Sequence, residues 1–229
     1  MGRGCGWGGG GGGGSPPPNG VVFEDVTDAS LGSNGKTLTI TRPGGTADGD
    51  LLIAAVATDG KQGTWTPPSA GWNLIDQGTQ SEEVALAVWW KLAGSSEPAS
   101  YNFSWGEDQE AYGWMMRFTG HDPVNPIDVS ASSGGSSSSP TSPAVTTSVA
   151  DALILRIGGF DDDDISVGAP GLAGHTAITM DKSGAGNGTC SGGAGYLTQA
   201  TAGSSGTSTF SLTRSEEYRT VTIGIAPAP

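Results

Sequence analysis

A chain of 229 residues with 10 basic and 23 acidic side chains has a formal charge of −13, the wrong sign for nucleic acid, whose phosphates call for clustered Lys and Arg. No stretch approaches the roughly 18 consecutive apolar residues of a membrane-spanning helix. Two cysteines, Cys5 and Cys190, are too few for a disulfide framework and stand in no metal-type pair.

The first fourteen residues include 10 glycines, followed by Ser15 and the run Pro16-Pro17-Pro18. Such a segment has almost no side chains to offset the entropy of ordering it, so residues 1–20 read as an extended Gly-rich arm that something outside it must hold. Trp7 and Cys5, with the stiff Pro16, Pro17 and Pro18 spacer, are its candidate partner-anchoring residues. Both cysteines are expected as free thiols, with a bridge from arm to body as the alternative. Met1 to Trp7 lacks the apolar core of a secretory signal, and Gly6 stands where a myristoylation pattern requires Ser or Thr. The expectation is synthesis for the cytosol or for a particle assembled there.

From Val21 the pattern is β, in keeping with 40 glycines and 14 prolines among few charges. Thr37 to Thr41 alternates with period two, whereas Leu51 to Ala57 is continuously apolar, as a strand buried on both faces would be. Trp65 and Trp72 flank a Pro turn; capping of the sandwich is the favoured reading, with stacking on a glycan as the alternative. Ser81-Glu82-Glu83 resembles a helix start, yet Val84 to Leu92 reads as a strand between β-like flanks, closed by Gly94. Glu107-Asp108-Gln109-Glu110 reads as a solvated hairpin turn. It does not match the alternating Glu-x-Asp-x-Glu of jelly-roll glycosidases, which leaves a hydrolase using Glu107, Asp108 or Glu110 as the least supported function.

His121 falls in a Gly-His-Asp-Pro turn and His175 in a Gly-rich loop, both expected to be solvated. Residues 130–143, rich in Ser with Pro140 and Pro143, read as a flexible connection. Ala152 to Leu155 is a second buried run. After it, Asp161, Asp162, Asp163 and Asp164 offer the best candidate for a cation, Ca²⁺, although the run lacks the spaced ligands and Gly of a calcium loop. No other cofactor is implied. Gly184-Ala185-Gly186-Asn187-Gly188 lacks the Lys and helix of a phosphate loop and reads as a turn. Thr220 to Ile225 alternates again.

A faint duplication runs through the body. Asp50 opens Leu51 to Thr58 as Asp151 opens Ala152 to Phe160, and Phe103-Ser104 precedes Glu110-Ala111-Tyr112 as Phe210-Ser211 precedes Glu217-Tyr218. The alternative is coincidence among similar hairpins. Together these features predict an all-β protein, an antiparallel two-sheet sandwich of jelly-roll-like type. Residues 21–229 would form one domain of two related halves behind the arm.

The strings Gly49-Asp50-Leu51-Leu52-Ile53-Ala54-Ala55-Val56, Gly71-Trp72-Asn73-Leu74-Ile75, Val88-Trp89-Trp90-Lys91 and Arg117-Phe118-Thr119-Gly120 before Asn125-Pro126-Ile127-Asp128 resemble a group of uncharacterised β-sandwich proteins of tailed-phage genomes and bacterial surface proteins. The resemblance spans roughly Gly49 to Asp128 and includes no catalytic motif. It implies a non-enzymatic virion accessory protein of a bacteriophage, a capsid decoration (cement) protein or a head or tail fibre component. Its partners would be capsid or tail proteins and further copies of itself, a trimer being the first guess. A carbohydrate-binding or adhesive surface module that engages host-surface glycans is the alternative.

Overall fold

The structure is a computed structural model describing residues 20–61, 64–68, 71–186 and 188–229. The arm anchors Cys5, Trp7, Pro16, Pro17 and Pro18 lie outside the described residues. In the first half run β1 (Val22–Thr41), β2 (Leu51–Asp59), β3 (Trp65–Thr66), β4 (Asn73–Gln80), β5 (Val84–Leu92) and β6 (Ser100–Thr119). In the second run β7 (Ile127–Ser137), β8 (Thr141–Ser142), β9 (Thr146–Thr147), β10 (Ala152–Asp161), β11 (Thr176–Lys182), β12 (Cys190–Gln199), β13 (Gly203–Ser204), β14 (Ser208–Thr209) and β15 (Glu216–Ile225).

Each half builds its own antiparallel sheet. The first has the order β1-β6-β2-β5-β4, with β3 added beside β6, and the second the order β7-β15-β10-β12-β11. Numbering only the five long strands of each half, both orders are first, fifth, second, fourth, third. The sheets pack face to face. Leu51, Ile53, Ala55 and Ala57 of β2, with Tyr112, Trp114, Met116 and Phe118 of β6, meet Leu153, Leu155 and Ile157 of β10 and Val221, Ile223 and Ile225 of β15. Gly192 lies under Trp114: a Cβ there would fall 2.5 Å from the indole ring, so β12 must have Gly at that point.

The continuous runs are explained by a second layer on each outer face. β1 and β6 have 20 residues each, too long for the sheet they join. Register shifts around Gly35 bend their ladder, and Thr27 Oγ1 donates to the carbonyl of Thr41, fixing the strand back on itself. The folded-over flap lays Leu38, Ile40, Tyr101, Phe103 and Trp105 on Leu52, Ala54, Val56, Trp89 and Met115. Glu107 to Glu110 thus belong to β6 at this bend and not to a hairpin turn. On the second sheet, the short pairs β8/β14 and β9/β13 and the loop before β11 supply the cover, with Leu172, Phe210, Leu212 and Ile165 over Phe160, Met180 and Tyr218.

Residues 130–143 are not a linker. Most of the stretch is β7, paired with β15 from Ile127–Ile225 to Ser137–Glu216. Ser and Gly suit it because the Tyr218 ring and the Arg219 side chain lie directly over Gly135 and Gly134, leaving little room for a larger side chain. Arg219 also reaches Asp76 of β4 at 3.0 Å, and Ser132 donates to the same carboxylate at 3.0 Å, lacing the two sheet edges together.

The helix-like signal at Ser81-Glu82-Glu83 is a tight hairpin turn. Ser81 and Glu82 have φ of 52° and 68°, and Glu83 N donates to the carbonyl of Gln80. Two successive left-handed residues are the requirement of a type I′ turn, for which Asn-Gly is the preferred pair. The double change Ser81→Asn, Glu82→Gly is therefore expected to stabilise by about 0.5–1 kcal/mol, read as a raised denaturation midpoint in urea. A lowered midpoint would show that the Lys61–Glu82 ion pair outweighs backbone strain.

Candidate functional site

Strand alternation sends a row of acids to one end of the sandwich. Asp59 and Asp161 continue the inward-facing rows of β2 and β10 beyond Ala57 and Gly159, and Glu110 extends the row of Tyr112 and Trp114 in β6. Ser183 Oγ donates to Glu110 Oε2 at 2.9 Å and receives Cys190 N at 3.0 Å. Among the described residues no cation pairs with Asp59 or Asp161: Lys61 is on Glu82, Lys182 on Asp163 and Arg214 on Asp164. Burial, reinforced by Asp162 and Glu110, raises Asp59 to about 6, and burial, reinforced by Asp162 and Asp59, raises Asp161 to about 7.

The four consecutive aspartates do not all converge on one point. Asp161 points inward, Asp162 takes a left-handed φ of 53°, and Asp163 and Asp164 turn to Lys182 and Arg214. Convergence comes instead from β15. Oxygens of Asp161, Glu216 and Glu217 lie within 4.8 Å of one another, as do those of Asp162, Asp164 and Glu216, close enough for one hard cation to span. Glu216 was not legible as a member of this group, because only the β10–β15 pairing places it beside the run.

Trp72 is 8% exposed, its ring edge-on to Tyr101 and Phe103. That packing places Trp72 in the apolar layer between the first sheet and its flap and leaves little of the indole open to a sugar. Trp65 is half-buried against Trp89 and Trp105. An open groove of about 590 Å³ lies elsewhere, lined by Gly60, Lys61, Glu82, Glu107, Asp108 and Gln109. Its lining can offer carboxylates, an ammonium and a carboxamide to a polar ligand. The strand bend that displays Glu107 and Asp108 was the missing information, since a turn and a bent strand have the same local composition.

The residues most often used for chemistry are incorporated in the fold. Cys190 is a free thiol with no exposed surface; its Sγ donates to the carbonyl of Ala57, and burial pushes it up to about 12. His121 is 7% exposed rather than solvated, held beside the C-terminal segment by its bridge to Pro227. Burial lowers its basicity. His175 is half-buried, its ring hydrogen-bonded to Arg156.

Among known proteins, no family model, no curated sequence and no solved structure matches this chain.

Proposed function

We propose that this chain is a structural module working through surface contacts, as an accessory component of a bacteriophage particle: a capsid decoration protein or a head or tail fibre component. The observation that supports this best is the closure of the body. Both outer sheet faces are covered by the chain's own strands, and three apolar cores take up nearly all the large side chains. Such a block holds its shape while the Gly-rich arm, through Trp7, Cys5 and the Pro16-Pro17-Pro18 spacer, engages a capsid or tail protein or a neighbouring copy. Assembly would be symmetric, a trimer being the first expectation. Mass spectrometry of particles purified after lysis of cells producing this chain is expected to find it in stoichiometric amount. Its absence from the particles would rule the reading out.

A second reading, a glycan-binding surface module, is favoured by the groove beside Lys61 and Asp108 rather than by Trp72. Binding on a glycan array that is lost in Asp108→Asn with Gln109→Ala would support it, and an array without signal would remove it.

A further inference from the structure

Arg156 stands in the middle of β10 on the outward face, buried beneath the segments that cover the second sheet. Its Nη1 donates to the carbonyls of Ser142 at 3.3 Å and Pro143 at 3.1 Å and to Thr222 Oγ1 at 3.3 Å. Nη2 donates to the carbonyls of Ser205 at 3.3 Å and Gly206 at 2.8 Å. Nε donates to His175 Nε2 at 2.9 Å. Every one of these acceptors is neutral, so the guanidinium fastens three covering segments to the sheet without a counter-ion.

This arrangement dictates the protonation of His175. A guanidinium only donates, so Nε2 must present its lone pair, and the ring proton sits on Nδ1, which donates to the carbonyl of Ala173 at 2.9 Å. A proton on Nε2 would remove the acceptor and leave two cations 2.9 Å apart. The loop that ends at His175 also supplies Leu172, which packs over Gly195 and shields the apolar group around Phe160.

We propose that the Arg156–His175 pair is an acid-operated latch: a proton on His175 unfastens the loop containing Leu172 and uncovers the apolar outer face of the second sheet around Phe160. The surroundings give that proton no compensating charge. Toward the ring, β12 presents Gly195 and β11 begins at Thr176. Around the guanidinium, β15 presents Thr222 and the covering segments present only the carbonyls of Ser142, Pro143, Ser205 and Gly206. Arg156 is the one charged group acting on the ring among the described residues, and together with burial it holds His175 below the ordinary imidazole value. Arg156 itself, lowered to about 10 by burial, stays charged throughout the relevant window. The open loop binds a proton near pH 6.5 and the closed loop resists it. Closure is thus fully supported above that pH and weakens as the pH falls below it.

Two measurements on the whole chain test this. Imidazole nitrogen shifts, assigned by the loss of signals in His175→Gln, are expected to show the Nδ1–H tautomer and titration below 6.5. Hydrogen exchange, corrected for its intrinsic pH dependence, follows the amides of Phe210 and Ser211, which donate to Pro140 and Pro170 in the cover. Their opening is expected to rise by up to about tenfold per pH unit below 6.5 and to level off once His175 of the closed loop itself titrates, while amides of β2 stay protected. His175→Gln keeps a neutral acceptor for Arg156 at every pH and should abolish that rise. An Nε2–H tautomer, titration at or above 6.5, or an unchanged acid response in His175→Gln would overturn the latch; if the variant does not fold, the titration and tautomer in the native chain decide.

Discussion

Arg156→Met is expected to lower stability by about 3–5 kcal/mol at pH 7.5, the range for removing one member of a buried polar network. Two opposing effects meet here. Burying a guanidinium is costly, and Met, whose stem fills much the same space, escapes that cost. Against this, the variant takes a donor from the carbonyls of Ser142, Pro143, Ser205 and Gly206, from Thr222 Oγ1 and from His175 Nε2; Pro143, Gly206 and Thr222 keep a hydroxyl partner. Six lost hydrogen bonds at roughly 1 kcal/mol each outweigh the relief. Arg156→Lys should recover only part of the loss, because an ammonium has three donors and no planar fork to span separate segments. Urea denaturation followed by tryptophan fluorescence measures both. A loss under about 1 kcal/mol for Arg156→Met would mean that the cover does not depend on this side chain.

The network also shows what could and could not be read before the structure. Leu51 to Ala57 and Ala152 to Leu155 gave themselves away as central strands because both faces of each are covered. The covering material left no such trace. Thr141-Ser142, Thr146-Thr147 and Gly203-Ser204 are strands of two residues, too short for periodicity to register; Arg156 ties the carbonyls of Ser142, Pro143, Ser205 and Gly206 together, and Gln199 donates to Thr147 and Gly203. That residue was nonetheless a usable signal: a lone arginine between Leu155 and Ile157 in a buried strand must find acceptors somewhere, and polar Ser- and Gly-rich segments are where carbonyls are available. The small, polar neighbours of His175 suggest a solvated ring, whereas its partner lies 19 residues away in the chain. The composition of residues 130–143 misleads for the same reason, since β7 is held by backbone pairing to β15 and by the Tyr218 and Arg219 side chains over its glycines, neither of which side-chain composition reveals. The matching strand orders of the two sheets, by contrast, follow features the sequence does display, the paired Asp50 and Asp151 openings of the central strands.

The acidic end leads to an effect of opposite sign. Asp161 and Asp59 are held at about 7 and about 6 in the folded chain, against about 3.9 in an unfolded one. A carboxyl raised on folding binds its proton more readily in the native state, so its contribution is greatest below the unfolded value and is lost as the pH rises through 6 and 7. At pH 8 both groups are ionised and face each other across the end of the core. Asp161→Asn, which imitates the protonated acid, is therefore expected to stabilise the chain at pH 8 by about 1–2 kcal/mol. The full shift would correspond to roughly 4 kcal/mol, and solvent reaching a half-exposed group reduces it. At pH 4 the same substitution should be nearly neutral, and adding Asp59→Asn should give less than the sum of the two, because each relieves the other. Denaturation at the two pH values, in EDTA and again with millimolar Ca²⁺, separates repulsion from ligation. Repulsion alone predicts the gain in EDTA. If Asp161→Asn instead destabilises in EDTA at pH 8, the charge on Asp161 is favourable in the fold and the repulsive account of this end fails; if it destabilises only with Ca²⁺ present, the oxygens shared with Glu216 and Glu217 hold the ion.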